Sequence, residues 1–400
     1  MKLVSVDTDV SPDNPESVRI TGKIRRDSGE QLEIWFEVSH ALQNELSETA
    51  NPWIIAMLPY ALENGEAIVS DIPADPELLE NLKGLITIWC RWHPQFVPPK
   101  IVAPIIPVDT VTPLAVRSAA FFSGGIDSWF TALRHAPELE AAAVGRIDDF
   151  ITVHGFDIPV ESTHEFARLH EVVSLGAKAL ARDLVVVRTN LRKSGSLWAK
   201  GWGWLTHSAG LATIALVLEK RYSKVLLASS HPYSGLFRRG SHPMTDVLFS
   251  TRSLQVKHDG APYNRVEKTA LVARHKIALS HLHVCWEAGS ASNCGECAKC
   301  IRTMATLQLL GAIEASNSFA MKFQAEKLAG VYIENAVEAQ FFREIYVLAD
   351  RTGERDIRAA TSRALRRSSR IRPLVNLAEK LGRVPVLWRF APRMRQWCVG

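Results

Sequence analysis

A glycine-containing stretch at residues 121–128 constrains the fold of this chain more than any other. It reads Phe-Phe-Ser-Gly-Gly-Ile-Asp-Ser and follows an apolar run, residues 114–122, that predicts a buried strand of a parallel sheet. Gly124 and Gly125 allow a sharp turn and let main-chain N–H groups approach a ligand with no Cβ in the way. Residues 127–135 then predict a helix. A strand, a glycine turn and a helix N-terminus together predict a site for phosphate or pyrophosphate.

Strand and helix patterns alternate from residue 114 onward. The expected strands are 114–122, 149–154, 184–188 and 224–230, and the expected helices are 127–135, 161–181 and 206–220. This order predicts an α/β fold with a doubly wound parallel sheet and right-handed crossovers. Ligands bind such sheets at the carboxyl ends of the strands, where the strand order reverses. The glycine loop follows the first of these strands, so its position and its chemistry agree.

Two further features of this region leave alternatives open. His154 follows the second expected strand and either contacts a nucleotide base or serves as an ordinary turn residue. The segment 192–204 combines glycines with three tryptophans. It is either a lid that excludes water from a bound nucleotide or aromatic packing between domains.

The length of 400 residues predicts more than one domain, because single cores usually stop growing below that size. Residues 1–112 predict an N-terminal α+β accessory domain that ends in a proline-rich connector. Residues 113–310 hold the alternating strands and helices. Residues 311–400 predict a helical extension that is basic, since residues 351–400 carry thirteen Lys and Arg against three Asp and Glu.

A basic amphipathic helix at 355–372, ended by Pro373, is the main feature of that extension. It either binds an RNA or protein partner or docks on the chain with its arginines solvated. The sequence also leaves a homodimer open. The N-terminus lacks the apolar segment of a signal peptide, and no apolar run approaches the roughly 18 residues of a membrane span. We therefore expect a cytoplasmic protein that does not bind a membrane.

The second candidate site is a cluster of four cysteines, Cys285, Cys294, Cys297 and Cys300. In a chain without a secretion signal such clustering indicates a metal site rather than disulfides. Four thiolates suit tetrahedral Zn²⁺ in a closed, structural site. An iron–sulfur cluster stays open as the competing occupant, because thiolates bind both.

The Ser-Gly-Gly-Ile-Asp-Ser loop resembles the PP-loop, SGGxDS, of the ATP pyrophosphatase (adenine nucleotide alpha hydrolase-like) superfamily. Its combination with the spacing Cys-x8-Cys-x2-Cys-x2-Cys resembles the 7-cyano-7-deazaguanine synthases of that superfamily, over about residues 114–310. The resemblance implies a sheet of the HUP/PP-loop type and an ATP-dependent carbon–nitrogen ligase. Such a ligase activates a carboxylate as an acyl-adenylate, releases pyrophosphate, and uses ammonia to form an amide and then a nitrile.

The resemblance also assigns roles to individual residues. Asp127 and Ser128 are the expected catalytic residues, with Asp127 orienting Mg²⁺ or the helix N-terminus. The family's substrate segment matches residues 241–249 only at Asp246, so the acceptor is a carboxylate on a small molecule or a peptide, and not necessarily a deazaguanine. Arg265 and Lys268 either face phosphates or lie on a solvated helix terminus. The residues expected to bind ATP are Ser123, Gly124, Gly125, Ile126, Asp127, Ser128 and His154.

Two other function classes stay open at this point. A PP-loop enzyme that transfers sulfur to tRNA would use an iron–sulfur cluster at the cysteines, and the basic extension is compatible with it. A non-catalytic nucleotide-binding module would keep the fold without the reaction. The intact loop at residues 123–128 argues against the second.

Overall fold

A computed structural model of the chain describes residues 1–107, 116–285 and 293–382. The chain divides into two compact units, Met1–Pro262 and Tyr263–Gly400. Each unit has its own hydrophobic core, which is built from buried residues of that unit.

The strands all lie in the first unit among the residues that the structure describes. They are Lys2–Val10 (β1), Ser17–Arg25 (β2), Gln31–Ser39 (β3), Ile68–Ser70 (β4), Ile101–Val102 (β5), Arg117–Phe121 (β6), Asp149–His154 (β7), Asp183–Thr189 (β8), Tyr222–Ala228 (β9) and Gln255–Asp259 (β10). The helices of this unit are Asn51–Asn64 (α1), Pro76–Trp92 (α2), Ile126–Arg134 (α3), Thr163–Ala179 (α4), Leu197–Lys200 (α5), His207–Val217 (α6) and Pro243–Asp246 (α7).

All ten strands form one sheet in the order β10-β9-β6-β7-β8-β3-β2-β1-β4-β5. The first five of these pair in parallel. The chain runs outward from β6 to β7 and β8, and then returns to the other side of β6 with β9 and β10. The strand order therefore reverses at β6, the strand that leads into the glycine loop.

This architecture confirms an α/β fold with a large, mixed and mostly parallel sheet that is compatible with a Rossmann-like arrangement. Each strand and helix expected between residues 114 and 230 is present, with ends within three residues of those expected over the part that the structure describes. Residues 114 and 115 of the first expected strand lie outside the described ranges. Burial explains the agreement, because β6, β7 and β9 carry apolar residues that are buried on both faces of the sheet.

The N-terminal strands join this same sheet. Phe36 of β3 pairs antiparallel with Thr189 of β8, and β2 and β1 continue the sheet outward. Buried Glu37 reinforces the junction, since its carboxylate accepts from Arg188 at 2.8 Å and from Arg19 at 2.9 Å. The structure thus places residues 1–107 in one compact unit with the parallel strands. The boundary expected near residue 112 lies outside the described residues.

The second unit is helical over its described residues. Its helices are Arg265–Ala273 (α8), Lys276–Ser280 (α9), Ala298–Leu309 (α10), Ala325–Gly330 (α11), Ala336–Thr352 (α12) and Arg355–Gly382 (α13). It starts at Tyr263 and takes in the four cysteines, whereas the sequence predicted a boundary at 310.

The prediction that Pro373 ends the basic helix is wrong, because α13 continues through Pro373 to Gly382. A proline inside a helix removes one hydrogen bond and clashes with the carbonyl four residues before it, which can kink a helix without ending it. Ile357, Ala360 and Ala364 of α13 lie in the core of this unit, while Arg358 and Arg366 are exposed. Among the helices that the structure describes, none is long and apolar enough to cross a bilayer.

Candidate functional site

The glycine loop turns directly from β6 into α3. Gly124 has φ +76°, a left-handed conformation that favours glycine over every other residue. Gly125 is the N-cap of α3 and makes no side-chain capping hydrogen bond, since it has no side chain. The positive end of the α3 dipole therefore faces the turn, and no side chain of the N-cap residue occupies the N–H groups there. This arrangement suits an anionic ligand.

The polar side chains of the loop lie around this turn. The Ser128 hydroxyl donates to the Gly125 carbonyl at 3.0 Å. The Ser123 hydroxyl oxygen lies 3.5 Å from the Ser128 hydroxyl oxygen. Ser123 is exposed, Asp127 is half-buried and Ser128 is buried. Asp127 lies in the first turn of α3, where its negative charge interacts favourably with the helix dipole. The loop thus offers hydroxyl donors and one carboxylate on the same turn.

His154, at the end of β7, is buried and used within its own loop. Its Nε2 lies 3.0 Å from the Pro159 carbonyl oxygen, and its ring stacks on Phe166 with the two centroids 4.2 Å apart. Burial lowers the pKa of His154. These contacts fix the shape of the turn after β7. The expected contact between His154 and a nucleotide base stays a prediction.

The next residue, Gly155, brings the ends of two strands together. It has φ +116°, and a Cβ at this position would lie 2.0 Å from the carbonyl oxygen of Thr189. Thr189 is the last residue of β8. Any side chain at residue 155 would therefore push apart the carboxyl ends of β7 and β8.

Asp246 is completely buried and sits in a network of donors. Its Oδ2 accepts from Ser241 Oγ at 2.7 Å and from His258 Nδ1 at 2.8 Å, and its Oδ1 accepts from the His242 N–H at 2.9 Å. Buried carboxylates require such partners. Asp246 thus orients the segment that precedes β10. The sequence did not predict β10 and so missed His258.

Arg265 and Lys268 belong to the second unit, on α8. Asn264 caps this helix through a reciprocal pair of hydrogen bonds with Glu267. The Arg265 guanidinium lies over the Phe341 ring, 4.9 Å from its centroid. Lys268 is only 1% exposed, which excludes a solvated helix terminus for that residue. Contact of either residue with phosphate stays a prediction.

The aromatic segment at 192–204 packs within the first unit. Trp198 is completely buried, and its indole N–H donates to the Ala56 carbonyl of α1 at 3.0 Å. Trp204 stacks on Phe96 with an interplanar angle of 17°. Of the two readings of this segment, these contacts favour aromatic packing, which fixes the N-terminal helices to the parallel strands.

The four cysteines converge in the second unit. The Sγ atoms of Cys285, Cys294, Cys297 and Cys300 all lie within 4.8 Å of one another. Two of the sulfur–sulfur distances are 4.0 Å, between Cys285 and Cys297, and 3.8 Å, between Cys294 and Cys300. Zn–S bonds of about 2.3 Å in a tetrahedron require sulfurs about 3.8 Å apart. The four residues could therefore bind a metal ion such as zinc.

Backbone N–H groups surround two of the sulfurs. The N–H groups of Cys297 and Glu296 donate to Cys294 Sγ at 3.2 Å and 3.4 Å, and the N–H of Cys300 donates to Cys297 Sγ at 3.5 Å. Gly295, with φ +72°, makes the turn that directs these N–H groups toward the sulfurs. A hydrogen bond from Cys300 lowers the pKa of Cys297 to about 5, which favours the thiolate needed for metal binding.

Asn293 holds the two halves of this cysteine site together. Its Oδ1 accepts from the N–H groups of Val284 at 2.7 Å and Cys285 at 3.1 Å. Its Nδ2 donates to the carbonyls of Leu282 and Ser318, each at 2.8 Å. Asn293 is 1% exposed. Periodicity carries no signal for this role of Asn293, and only its position beside Cys294 could have indicated it.

Comparison with protein-family models, with curated proteins and with solved structures gave no match. Membership of the PP-loop superfamily accordingly stays a prediction from the two motifs.

Proposed function

We propose that this chain is an ATP-dependent ligase of the PP-loop (HUP) type. It activates a carboxylate by adenylation, with AMP and pyrophosphate as the products of ATP, and then forms a carbon–nitrogen bond with ammonia to give an amide or nitrile. One observation carries the proposal: a left-handed Gly124 and a glycine N-cap lead into α3 where the strand order reverses. Parallel sheets bind nucleotides at that position.

Different residues of the loop bind the pyrophosphate and promote its release. Backbone N–H groups from Gly124 to Ser128 bind the leaving phosphates, and the Ser123 and Ser128 hydroxyls donate to the same oxygens. Asp127 is the carboxylate on this turn, which suits Mg²⁺ because that ion is held by one or two carboxylates together with substrate phosphates. When bound, Mg²⁺ neutralises charge on the leaving group. Positioning and electrostatics then supply the acceleration.

The cysteine site supports a structural zinc in this proposal. An iron–sulfur cubane holds each thiolate on a separate iron, so its sulfurs stand further apart than those around a single ion. The sulfur–sulfur distances of 3.8 Å and 4.0 Å favour one tetrahedral ion at the centre of the four cysteines. A structural zinc also argues against the alternative of sulfur transfer to tRNA, which needs the cluster.

The acceptor is a carboxylate on a small molecule or a peptide. The exposed arginines of α13 are the surface that we propose for an RNA or protein partner, since its apolar face is already buried in the second unit. A homodimer and a cytoplasmic location belong to the same proposal.

The substitution Asp127→Asn tests the assignment of the loop. We expect it to lower pyrophosphate release from ATP by about 10²–10³-fold, because a carboxylate that holds Mg²⁺ and the leaving charge is lost. Release is measured with Mg²⁺, ammonium and a pool of metabolite carboxylic acids and short peptides. Asp9→Asn, the same change at an exposed position of β1, should keep the wild-type rate. Wild-type turnover by a folded Asp127→Asn variant would refute the assignment.

A further inference from the structure

A small cavity rich in histidine lies beside β10 in the first unit. The polar residues that line it are Ser230, His231, Arg239, Ser241, His242 and His258. Of this set, the sequence singled out neither Arg239 nor His258. The free volume of this cavity is about 10 Å³, which is room for one molecule of the size of water or ammonia.

The cavity lies at the same edge of the sheet as the glycine loop. His258 of β10 pairs with Leu227 of β9, one residue beyond Leu226, which pairs with Ala120 of β6. His258 is therefore level with Phe121, the last residue before the loop. Because β10 is two strands from β6, the separation along the sheet is about 10 Å. That distance is comparable to the length of a nucleotide.

The two neighbouring side chains at the end of β10 point to opposite faces of the sheet. Asp259 points toward α3, where its carboxylate accepts from Thr131 Oγ1 at 2.8 Å. His258 points to the other face and reaches Asp246. The cavity and α3 thus flank the sheet edge from either side.

Asp246 fixes the tautomer of His258. The Nδ1–H of His258 donates to Asp246 Oδ2 at 2.8 Å, and Asp246 itself is held by Ser241 and by the His242 N–H. A proton fixed on Nδ1 leaves the lone pair on Nε2, the other nitrogen of a ring that lines the cavity. Buried carboxylates orient the imidazole of general bases by this same contact.

The other histidines around Asp246 are bonded differently. His242 Nδ1 accepts from the Met244 N–H at 3.1 Å, and burial lowers the pKa of His242. Burial lowers the pKa of His207 to about 4, so that ring is neutral at pH 7. His231 contacts the Arg239 guanidinium. Of these four histidines, His258 is the one whose ring is hydrogen-bonded to the Asp246 carboxylate.

We propose that His258, oriented by Asp246, is the general base of carbon–nitrogen bond formation and that this cavity receives the ammonia. The inference rests on the proposed function and adds a catalytic residue to it. The ammonia nitrogen attacks the acyl carbon, and the bond from that carbon to the AMP oxygen breaks, with its electron pair leaving on AMP. His258 Nε2 takes the proton that the nitrogen loses.

Two reactions separate this role from a structural one. Exchange of labelled pyrophosphate into ATP reports adenylation, and incorporation of ¹⁵N-ammonium reports the second step; both are run with the pool of carboxylic acids and peptides. In His258→Gln we expect exchange to stay within about twofold of wild type and ¹⁵N incorporation to fall about 10²–10⁴-fold. His164→Gln, an exposed histidine of α4, should leave both unchanged.

The outcomes distinguish the two proposals. Wild-type protein without exchange on any pool would overturn the proposed function, and the catalytic step with it. Exchange in wild type with full ¹⁵N incorporation by His258→Gln would overturn only the role of His258.

A second substitution covers the case in which His258→Gln does not fold. His258→Asn keeps a side-chain N–H donor for Asp246 and removes the ring nitrogen Nε2. We expect exchange to be retained and ¹⁵N incorporation to fall as in His258→Gln. Full ¹⁵N incorporation by a folded His258→Asn variant would contradict the proposal.

Discussion

Replacing Gly155 by alanine is expected to destabilise the first unit strongly. The new Cβ would lie 2.0 Å from the Thr189 carbonyl oxygen and 3.1 Å from its carbon. Both atoms are backbone at the end of β8, so no flexible side chain can move aside. The φ of +116° adds conformational strain, because L residues other than glycine rarely adopt it.

The magnitude follows from these two contributions. Backbone strain at a sparsely populated conformation costs about 1–3 kcal/mol, and overpacking costs about 1–3 kcal/mol. We therefore expect Gly155→Ala to lower the free energy of unfolding by about 4 kcal/mol. For a unit of this size each 1 kcal/mol corresponds to about 2–4 °C, which predicts a fall in Tm of about 8–16 °C.

Scanning calorimetry of three variants separates strain from the steric clash. Gly29→Ala tests strain alone, since Gly29 has φ +89° and no atom within 4 Å of the added Cβ; we expect a loss of about 1–2 kcal/mol. Gly203→Ala also meets no atom within 4 Å and should change stability by less than about 0.5 kcal/mol. A Gly155→Ala variant no less stable than Gly29→Ala would refute the close approach of β7 to β8.

Two further substitutions test other buried contacts. Asn293→Ala should weaken zinc binding about 10–100-fold in a chelator competition, because Asn293 holds the segment of Cys285, whereas Asn335→Ala, at the start of α12, should not. Asp149→Asn should lower the free energy of unfolding in urea by about 1–3 kcal/mol, because Arg117 and Arg221 lose the buried carboxylate that they share, while Arg221 keeps Glu45. Burial raises the pKa of Asp149, but hydrogen bonds from Arg117, Tyr222 and Arg221 outweigh burial, so the pKa lies below its ordinary value. The stability from Asp149 is therefore present above its ordinary pKa of about 3.9 and is lost as the pH falls through the lower folded-state value. The difference between wild type and Asp149→Asn should shrink only in that acidic range.

The parallel part of the sheet could be predicted because its strands are apolar and buried on both faces. The run before Gly124 and the strand Asp149–His154 are examples. β10, by contrast, reads Gln-Val-Lys-His-Asp and lies at the edge of the sheet, so it has no continuous apolar pattern. Missing this strand also hid His258.

Pairing between distant strands was the second thing that the sequence did not reveal. Periodicity indicates that residues 32–38 form a strand, but nothing local indicates that Phe36 pairs with Thr189. β1 did carry apolar Val4 and Val6 in alternation with polar Ser5 and Asp7, a pattern that could have identified it. The cysteine site was predictable from spacing, whereas Asn293 acts through hydrogen bonds that spacing cannot show.

The most direct test of the account follows oxygen from the acceptor to the nucleotide. The protein is incubated with ATP, Mg²⁺, ammonium and a pool of carboxylic acids and peptides whose carboxylates carry ¹⁸O, and the nucleotide products are weighed by mass spectrometry. Adenylation by the loop at residues 123–128 predicts AMP that contains one ¹⁸O from the acceptor, together with unlabelled pyrophosphate. ADP and phosphate as the products, or AMP without ¹⁸O, would contradict it.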